Sequence, residues 1–147
     1  MQEFQVINDD VMGGRSRSRV LPTATGLLFE GDVSLENGGG FASFRASLTL
    51  PPDAAAVLLT VDGDQRRYRF VLRTDEGRGA AQYHAPFVAP QSRTTLRFVS
   101  EDFVARFRGR PAVAPPLHLG NVRVFGLLIG DGQSGPFRVE LEFPCAA

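Results

Sequence analysis

Apolar and polar residues alternate with a period of two in short runs along most of the chain. Such runs occupy Leu27–Phe29, Phe41–Leu50, Val57–Asp62, Tyr68–Thr74, Gln82–Phe87, Thr94–Val99, Val122–Ile129 and Phe137–Phe143, with a shorter one at Arg17–Leu21. A period of two puts successive side chains on opposite faces of a strand. Between the runs lie Thr23–Gly26, Asn37–Gly40, Pro51–Asp53, Asp62–Gln65, Asp75–Gly79 and Gly130–Pro136, clusters of residues that tolerate positive φ or pre-set a turn. Eight or nine strands divided in this way predict an all-β fold, a two-sheet β-sandwich or jelly roll.

The alternation also assigns faces. Within Phe41–Leu48 the residues Ala42, Phe44, Ala46 and Leu48 form an apolar set, while Phe41, Ser43 and Arg45 point the other way. Further on, Tyr68, Phe70 and Leu72 oppose Arg67, Arg69, Val71 and Arg73. Each such strand is expected to give one face to a core and to carry arginine on the other.

Length reduces the picture to one core. A chain of 147 residues is the size of one ordinary domain. No heptad, solenoid-length repeat or linker-like shift in composition divides it, so residues 1–147 are expected to form a single domain. Twelve Phe and no Trp make phenylalanine the main core filler, and 16 Gly with 10 Pro work against long helices.

Charge and cysteine usage narrow the surroundings. Sixteen acidic residues balance sixteen arginines, with no lysine, so no global field draws the chain to nucleic acid or an anionic membrane. No stretch approaches the ~20 apolar residues that span a bilayer, and Met1–Asp10 lacks the pattern of a signal peptide. The single cysteine, Cys145, leaves no internal disulfide framework. These features predict a soluble, cytoplasmic protein.

Two glycine-broken acidic loops carry the most distinctive chemistry. In the first, Asn8, Asp9 and Asp10 precede Gly13 and Gly14. Three short oxygen-bearing side chains suit either a hard cation or a turn closed by side-chain bonds to backbone N–H groups. The spacing matches no calcium loop, so turn closure is the expectation, with no metal and no cofactor. In the second, Glu36 and Asn37 precede Gly38, Gly39 and Gly40. Three glycines in a row are conformationally expensive unless something approaches the backbone closely, either a ligand or partner or the first loop itself.

A second candidate surface is the arginine-bearing face. Arg45, Arg69 and Arg73 are expected to share it with Tyr83 or His84, giving bidentate donors beside flat rings that suit sugars, carboxylates or acidic protein segments. Arg15, Arg17 and Arg19, and likewise Arg106, Arg108 and Arg110, form further stripes on extended chain. Neither stripe has the interleaved aromatic platform of a single-strand binder apart from Phe107, and nucleic acid is not an expected partner. Asp62-Gly63 reads as a hairpin turn feeding an arginine-bearing strand.

Signatures of catalysis are poor. The chain has no G-x-S-x-G elbow, no P-loop and no zinc-type histidine pair, and His84 and His118 lie far apart in sequence. Paired carboxylates for glycoside hydrolysis stay open for Asp9, Asp10, Glu36 and Asp64, because their separation in space decides that question.

Long blocks resemble a known family. Val6 to Ser16, Phe29 to Ser43 and Gly63 to Tyr68 resemble the complex I intermediate-associated protein 30 family, and Tyr83 to Phe87, Phe103 to Arg110 and Gly135 to Glu142 look like its remaining blocks. The resemblance implies a galactose-binding-like jelly roll, related in shape to carbohydrate-binding modules. It also implies a non-catalytic role, since mitochondrial members assist assembly of respiratory complex I. Phe4 stands where relatives often have Trp, and Ser92 to Thr95 replace another Trp, which removes rings that a sugar would stack on. The expectation is therefore a non-enzymatic, assembly-factor-like domain that recognises a protein partner during assembly of a respiratory or other redox complex. The alternative is a carbohydrate-binding module with a glycan ligand. For either partner or ligand the binding residues would be Asn8, Asp9, Asp10, Glu36, Asn37, Arg45, Arg69, Arg73 and Tyr83, with Gly13, Gly14, Gly38, Gly39 and Gly40 shaping the loops.

Overall fold

The computed structural model describes residues 4–8, 17–35, 40–74, 82–107, 110–111 and 116–147. Among them the chain forms β1 (Phe4–Asn8), β2 (Arg17–Pro22), β3 (Gly26–Val33), β4 (Ala42–Ser47), β5 (Val57–Asp62), β6 (Arg67–Arg73) and β7 (Gln82–Val88). It continues with β8 (Thr94–Phe98), β9 (Val104–Phe107), β10 (Arg110–Pro111), β11 (Val124–Ile129), β12 (Gly135–Glu142) and β13 (Cys145–Ala146). Sheet A has seven strands in the order β1-β4-β11-β6-β7-β9-β10. Sheet B has six, β13-β5-β12-β3-β2 with β8 on the other edge of β5. The pairings in both sheets are antiparallel. The fold is the expected two-sheet, galactose-binding-like β-sandwich.

The period-two pattern drives this packing. Ala42, Phe44 and Ala46 of β4 and Tyr68, Phe70 and Leu72 of β6 are buried, whereas Arg45, Arg69 and Arg73 between them are only partly covered. Aromatic rings from both sheets lock the layers together. Phe29, Phe44, Phe125, Phe70, Phe98, Phe87, Tyr68 and Phe137 touch in that order and close back on Phe29. Neighbouring centroids in this circuit lie between 4.9 and 6.5 Å apart, within the range in which aromatic pairs add to simple burial.

The Asp62-Gly63 turn is not the hairpin that its sequence suggests. Its flanking strands belong to different sheets, β5 to sheet B and β6 to sheet A, so the turn is a crossover. It is clamped to the exit of β7: Gly63 N–H donates to Pro90 O at 2.6 Å, Gln65 N–H to Ala89 O at 2.8 Å, and Ala89 N–H to Arg66 O at 3.0 Å. Gly63 is required by this contact, because a Cβ there would lie 2.5 Å from that of Ala89.

Asp64 completes the crossover. β12 pairs with β5 only through Glu140 and Leu141, which leaves Arg138 N–H beyond the end of β5. The Asp64 carboxylate accepts it at 2.8 Å, and also accepts the Tyr68 hydroxyl at 3.0 Å and Arg66 N–H at 3.0 Å. One side chain thus ties a strand of each sheet to the turn between them. Burial first, then the Asp64 charge and hydrogen bond, push the Tyr68 phenol far above its ordinary pKa.

Candidate functional site

The outer face of sheet A collects the arginines. Its central row, held by strand register, runs Arg45, Gly126, Val71, His84 and Val104 across β4, β11, β6, β7 and β9. On one side lies the row Ser43, Leu128, Arg69 and Pro86; on the other, Ser47, Val124 and Arg73, with Gln82 paired to Arg106 nearby. Gly126 sits at the centre, where β4 comes so close that a Cβ would fall 2.0 Å from Phe44 O. Ser43, Arg45, Val71, Arg73, Gln82, Val124 and Leu128 line a shallow groove around it of about 40 Å³.

Charge is segregated between the sheets. The strands of sheet A carry Arg45, Arg67, Arg69, Arg73, Arg106 and Arg110 and no Asp or Glu. Those of sheet B mix Glu30, Asp32, Asp62, Glu140 and Glu142 with Arg17, Arg19, Arg97 and Arg138. A net charge of zero thus hides a basic set of strands.

The arginines on that face are not equivalent. Arg69 is anchored by Asp131 of the β11–β12 turn, which accepts from Nε at 3.0 Å and from Nη2 at 2.5 Å. This side-on pairing uses both carboxylate oxygens. Arg45 has no ion pair with any described carboxylate, and partial burial together with the Arg73 charge lowers its affinity for its proton. The two guanidinium groups line one groove and repel each other.

His84 fills the space beneath Arg69. It is 5% exposed, its Nδ1 lies 3.5 Å from Arg69 Nη1, and its Nε2 lies 3.1 Å from Gln82 Oε1. Burial, followed by the charges of Arg69 and Arg106, depresses its pKa to about 4, against a smaller opposing effect of Asp131. The ring is neutral at pH 7, and its partners define the tautomer: Nε2–H donates to Gln82 while Nδ1 faces the guanidinium.

Tyr83 does not join this face. Its cross-strand partner is Leu72, a core residue, and Tyr83 is itself buried in the core at 7% exposure. His84, the other ring considered, takes the outward position. Of the remaining residues singled out in sequence, Asp9, Asp10, Gly13, Gly14, Glu36, Asn37, Gly38 and Gly39 lie outside the described residues. Two of the residues singled out in the glycine-broken loops are described. Asn8, the last residue of β1, is in register with Ala42 at the start of β4. Gly40, at φ +141°, leads into that strand.

A larger, open depression of about 600 Å³ lies beside β2, β3 and β12, lined by Arg17, Arg19, Glu30, Asp32, Asp64 and Arg138 among others. Several of its charges already have partners. Arg19 bonds Glu30 at 2.5 Å, Arg138 bonds Glu140 at 2.8 Å, and Asp64 has the three donors described above. Asp64 therefore serves the crossover. Among the described residues no cluster of three or more His, Cys, Asp and Glu is arranged to hold a metal ion. No helix among them is long and apolar enough to cross a membrane.

Sequence reasoning missed Gln82, Asp131 and Gly126 as parts of the arginine face. Their signal is tertiary, because only strand order brings them beside Arg45, Arg69 and Arg73.

The fold is that of a galactose-binding-like sandwich, and known structures share it. A family 11 carbohydrate-binding module of a cellulosomal cellulase from Clostridium thermocellum superimposes with a TM-score of 0.64 at 15% identity, over 99% of this chain and 88% of that one. The family 11 module from the same organism, in complex with a β-1,3-1,4-mixed-linked tetrasaccharide, gives 0.59 at 14% identity, over 95% and 85%. A region of an exo-β-agarase gives 0.53 at 8% identity, over 95% of this chain and 22% of the enzyme. No curated protein matches the chain significantly. The family model for complex I intermediate-associated protein 30 matches residues 1–141, and the chain belongs to that family.

Proposed function

We propose that the chain is a non-catalytic binding domain that recognises a protein partner through the outer face of sheet A, in the manner of an assembly factor for a respiratory or other redox complex. The observation that carries this reading is a broad basic face around a groove of only about 40 Å³. Enclosed small-molecule sites run to roughly 300 Å³ or more. A shallow, extended surface fits the contact area of a protein. Membership of a family named for association with a complex I intermediate supports the same reading. Asn8, Asp9, Asp10, Glu36 and Asn37 are further candidate contacts of that partner.

The test is native cross-linking and co-purification from the source cells. The expected result is a specific partner lost in Leu128→Arg, on this face, and retained in Arg19→Glu, on sheet B. The same recovered proteins from both variants would overturn the reading.

Carbohydrate binding is the second reading, favoured by a structural neighbour that carries a tetrasaccharide. Against it, the outward rows of β4, β11, β6, β7 and β9 carry no Phe, Tyr or Trp among the described residues. Flat rings supply much of the contact in sugar sites. Binding to neutral glycans on an array, weakened by Arg45→Ala, would establish this reading over the first.

A further inference from the structure

Resting on that reading, we infer that the β11–β12 turn carries a displaceable stand-in for the partner: Asp131 occupies the fork of Arg69 until a carboxylate from an acidic, Asp- or Glu-rich segment of the partner protein replaces it. Asp131 lies outside the strands of sheet A, which carry arginine but no Asp or Glu. Its two oxygens meet Arg69 Nε at 3.0 Å and Nη2 at 2.5 Å. A guanidinium takes a carboxylate from another molecule in the same side-on geometry. Charge selects the occupant, because the arginines of these strands repel a basic segment and a neutral one cannot replace Asp131 as a charged, bidentate acceptor.

The turn does not need this pair to keep its place. β11 last pairs with β6 at Leu128, opposite Arg69, and β12 begins at Gly135 in the other sheet. Between them Gln133 anchors the base of the turn. Its Nε2 donates to Arg67 O and to Gly130 O at 2.8 Å each, and its Oε1 accepts Arg67 N–H at 3.0 Å. Asp131 and Gly132 form the tip, both left-handed at φ +57° and +79°, and a Cβ added at Gly132 would meet nothing within 4 Å. The Asp131 side chain is 39% exposed, so it can swing into water while Gln133 holds the base. Arg69 stays behind: its side chain is 19% exposed, and its Nη1 rests 3.5 Å from Nδ1 of the buried His84. Ion pairs with an exposed partner are weak, and an incoming carboxylate restores both hydrogen bonds to the fork, so the exchange costs little.

The probe is an octaglutamate peptide titrated into the full chain by calorimetry and NMR, with octaglutamine and tetragalacturonate as comparisons. Octaglutamate is expected to bind and to shift the Gly132 amide as Asp131 leaves; octaglutamine should do neither. Asp131→Asn keeps the size of the side chain and the tolerance for a left-handed backbone. It should raise octaglutamate affinity about 2- to 5-fold, whereas Arg69→Gln should lower it by a similar factor. The double variant separates exchange from a simple change of local charge: with Arg69→Gln in place, Asp131→Asn should bring no gain. A gain that persists without Arg69, unchanged affinity in Asp131→Asn, or no octaglutamate binding would overturn the exchange. Tetragalacturonate binding more tightly than octaglutamate would overturn the peptide assignment and give the fork to an acidic glycan. A native partner lost in Leu128→Arg but held equally by the wild type and Asp131→Asn removes the exchange and leaves the face. Octaglutamate exchange without any protein partner removes the assembly role and leaves the exchange.

Discussion

The Tyr68 hydroxyl donates to the Asp64 carboxylate at 3.0 Å, across the point where the chain passes from one sheet to the other. Tyr68→Phe removes one of three donors and is expected to cost about 1 kcal/mol in urea unfolding. Asp64→Ala strands Arg66 N–H and Arg138 N–H as well and should cost about 2–3 kcal/mol. The phenol stays protonated in the folded state above pH 10, the ordinary pKa, while the unfolded chain releases that proton. Stability therefore falls as pH rises beyond about 10, and Tyr68→Phe should flatten this alkaline slope.

His84 sets an acid limit. Its folded pKa of about 4 lies below the ordinary 6.5, so between these values the unfolded chain takes up a proton that the folded one refuses. The contribution is fully present above pH 6.5 and is lost as pH falls towards 4, by about 3 kcal/mol at most. His84→Gln should remove that part of the slope in thermal melts recorded from pH 7 to 4. An unchanged slope would mean that the ring protonates without cost.

Two glycines should respond differently to alanine. Gly126→Ala drives a Cβ to 2.0 Å from Phe44 O and should destabilise by at least about 2 kcal/mol by disturbing the β4–β11 pairing. Gly132 has φ +79° but nothing within 4 Å of an added Cβ, so Gly132→Ala should cost only its left-handed backbone strain, about 1–2 kcal/mol. Chemical denaturation of both variants gives the comparison.

Aromatic and ionic contacts can be ranked in the same way. Phe29 is wholly buried and meets Phe44 and Phe137 at 4.9 Å; Phe29→Ala should cost about 3–5 kcal/mol. Arg19 pairs with Glu30, but its side chain is 68% exposed, and Arg19→Ala should change stability by less than about 1 kcal/mol.

The central strands are legible in the sequence because their alternation is local. Val57–Asp62 is found where it was expected, and the buried set of Ala42, Phe44 and Ala46 was written in the period of two. The strands β1, β9, β10 and β13 were not anticipated. The last three are short, at four, two and two residues, too few to show an alternation of their own. The Asp62-Gly63 turn misled because a turn signal says that the chain reverses, not which sheet receives it. Tyr83 was recoverable, since Tyr83, Ala85 and Phe87 form an apolar period-two set that leaves His84 facing out. The basic character of sheet A was not recoverable, because it depends on which strands share a sheet.

That separation leaves the strands of sheet A basic within a chain of zero net charge. An acidic partner surface approaching those strands would be drawn in before it touches, shortening the search for a productive encounter. The signature would be kinetic: association slowing steeply as salt screens the field, with dissociation changing much less.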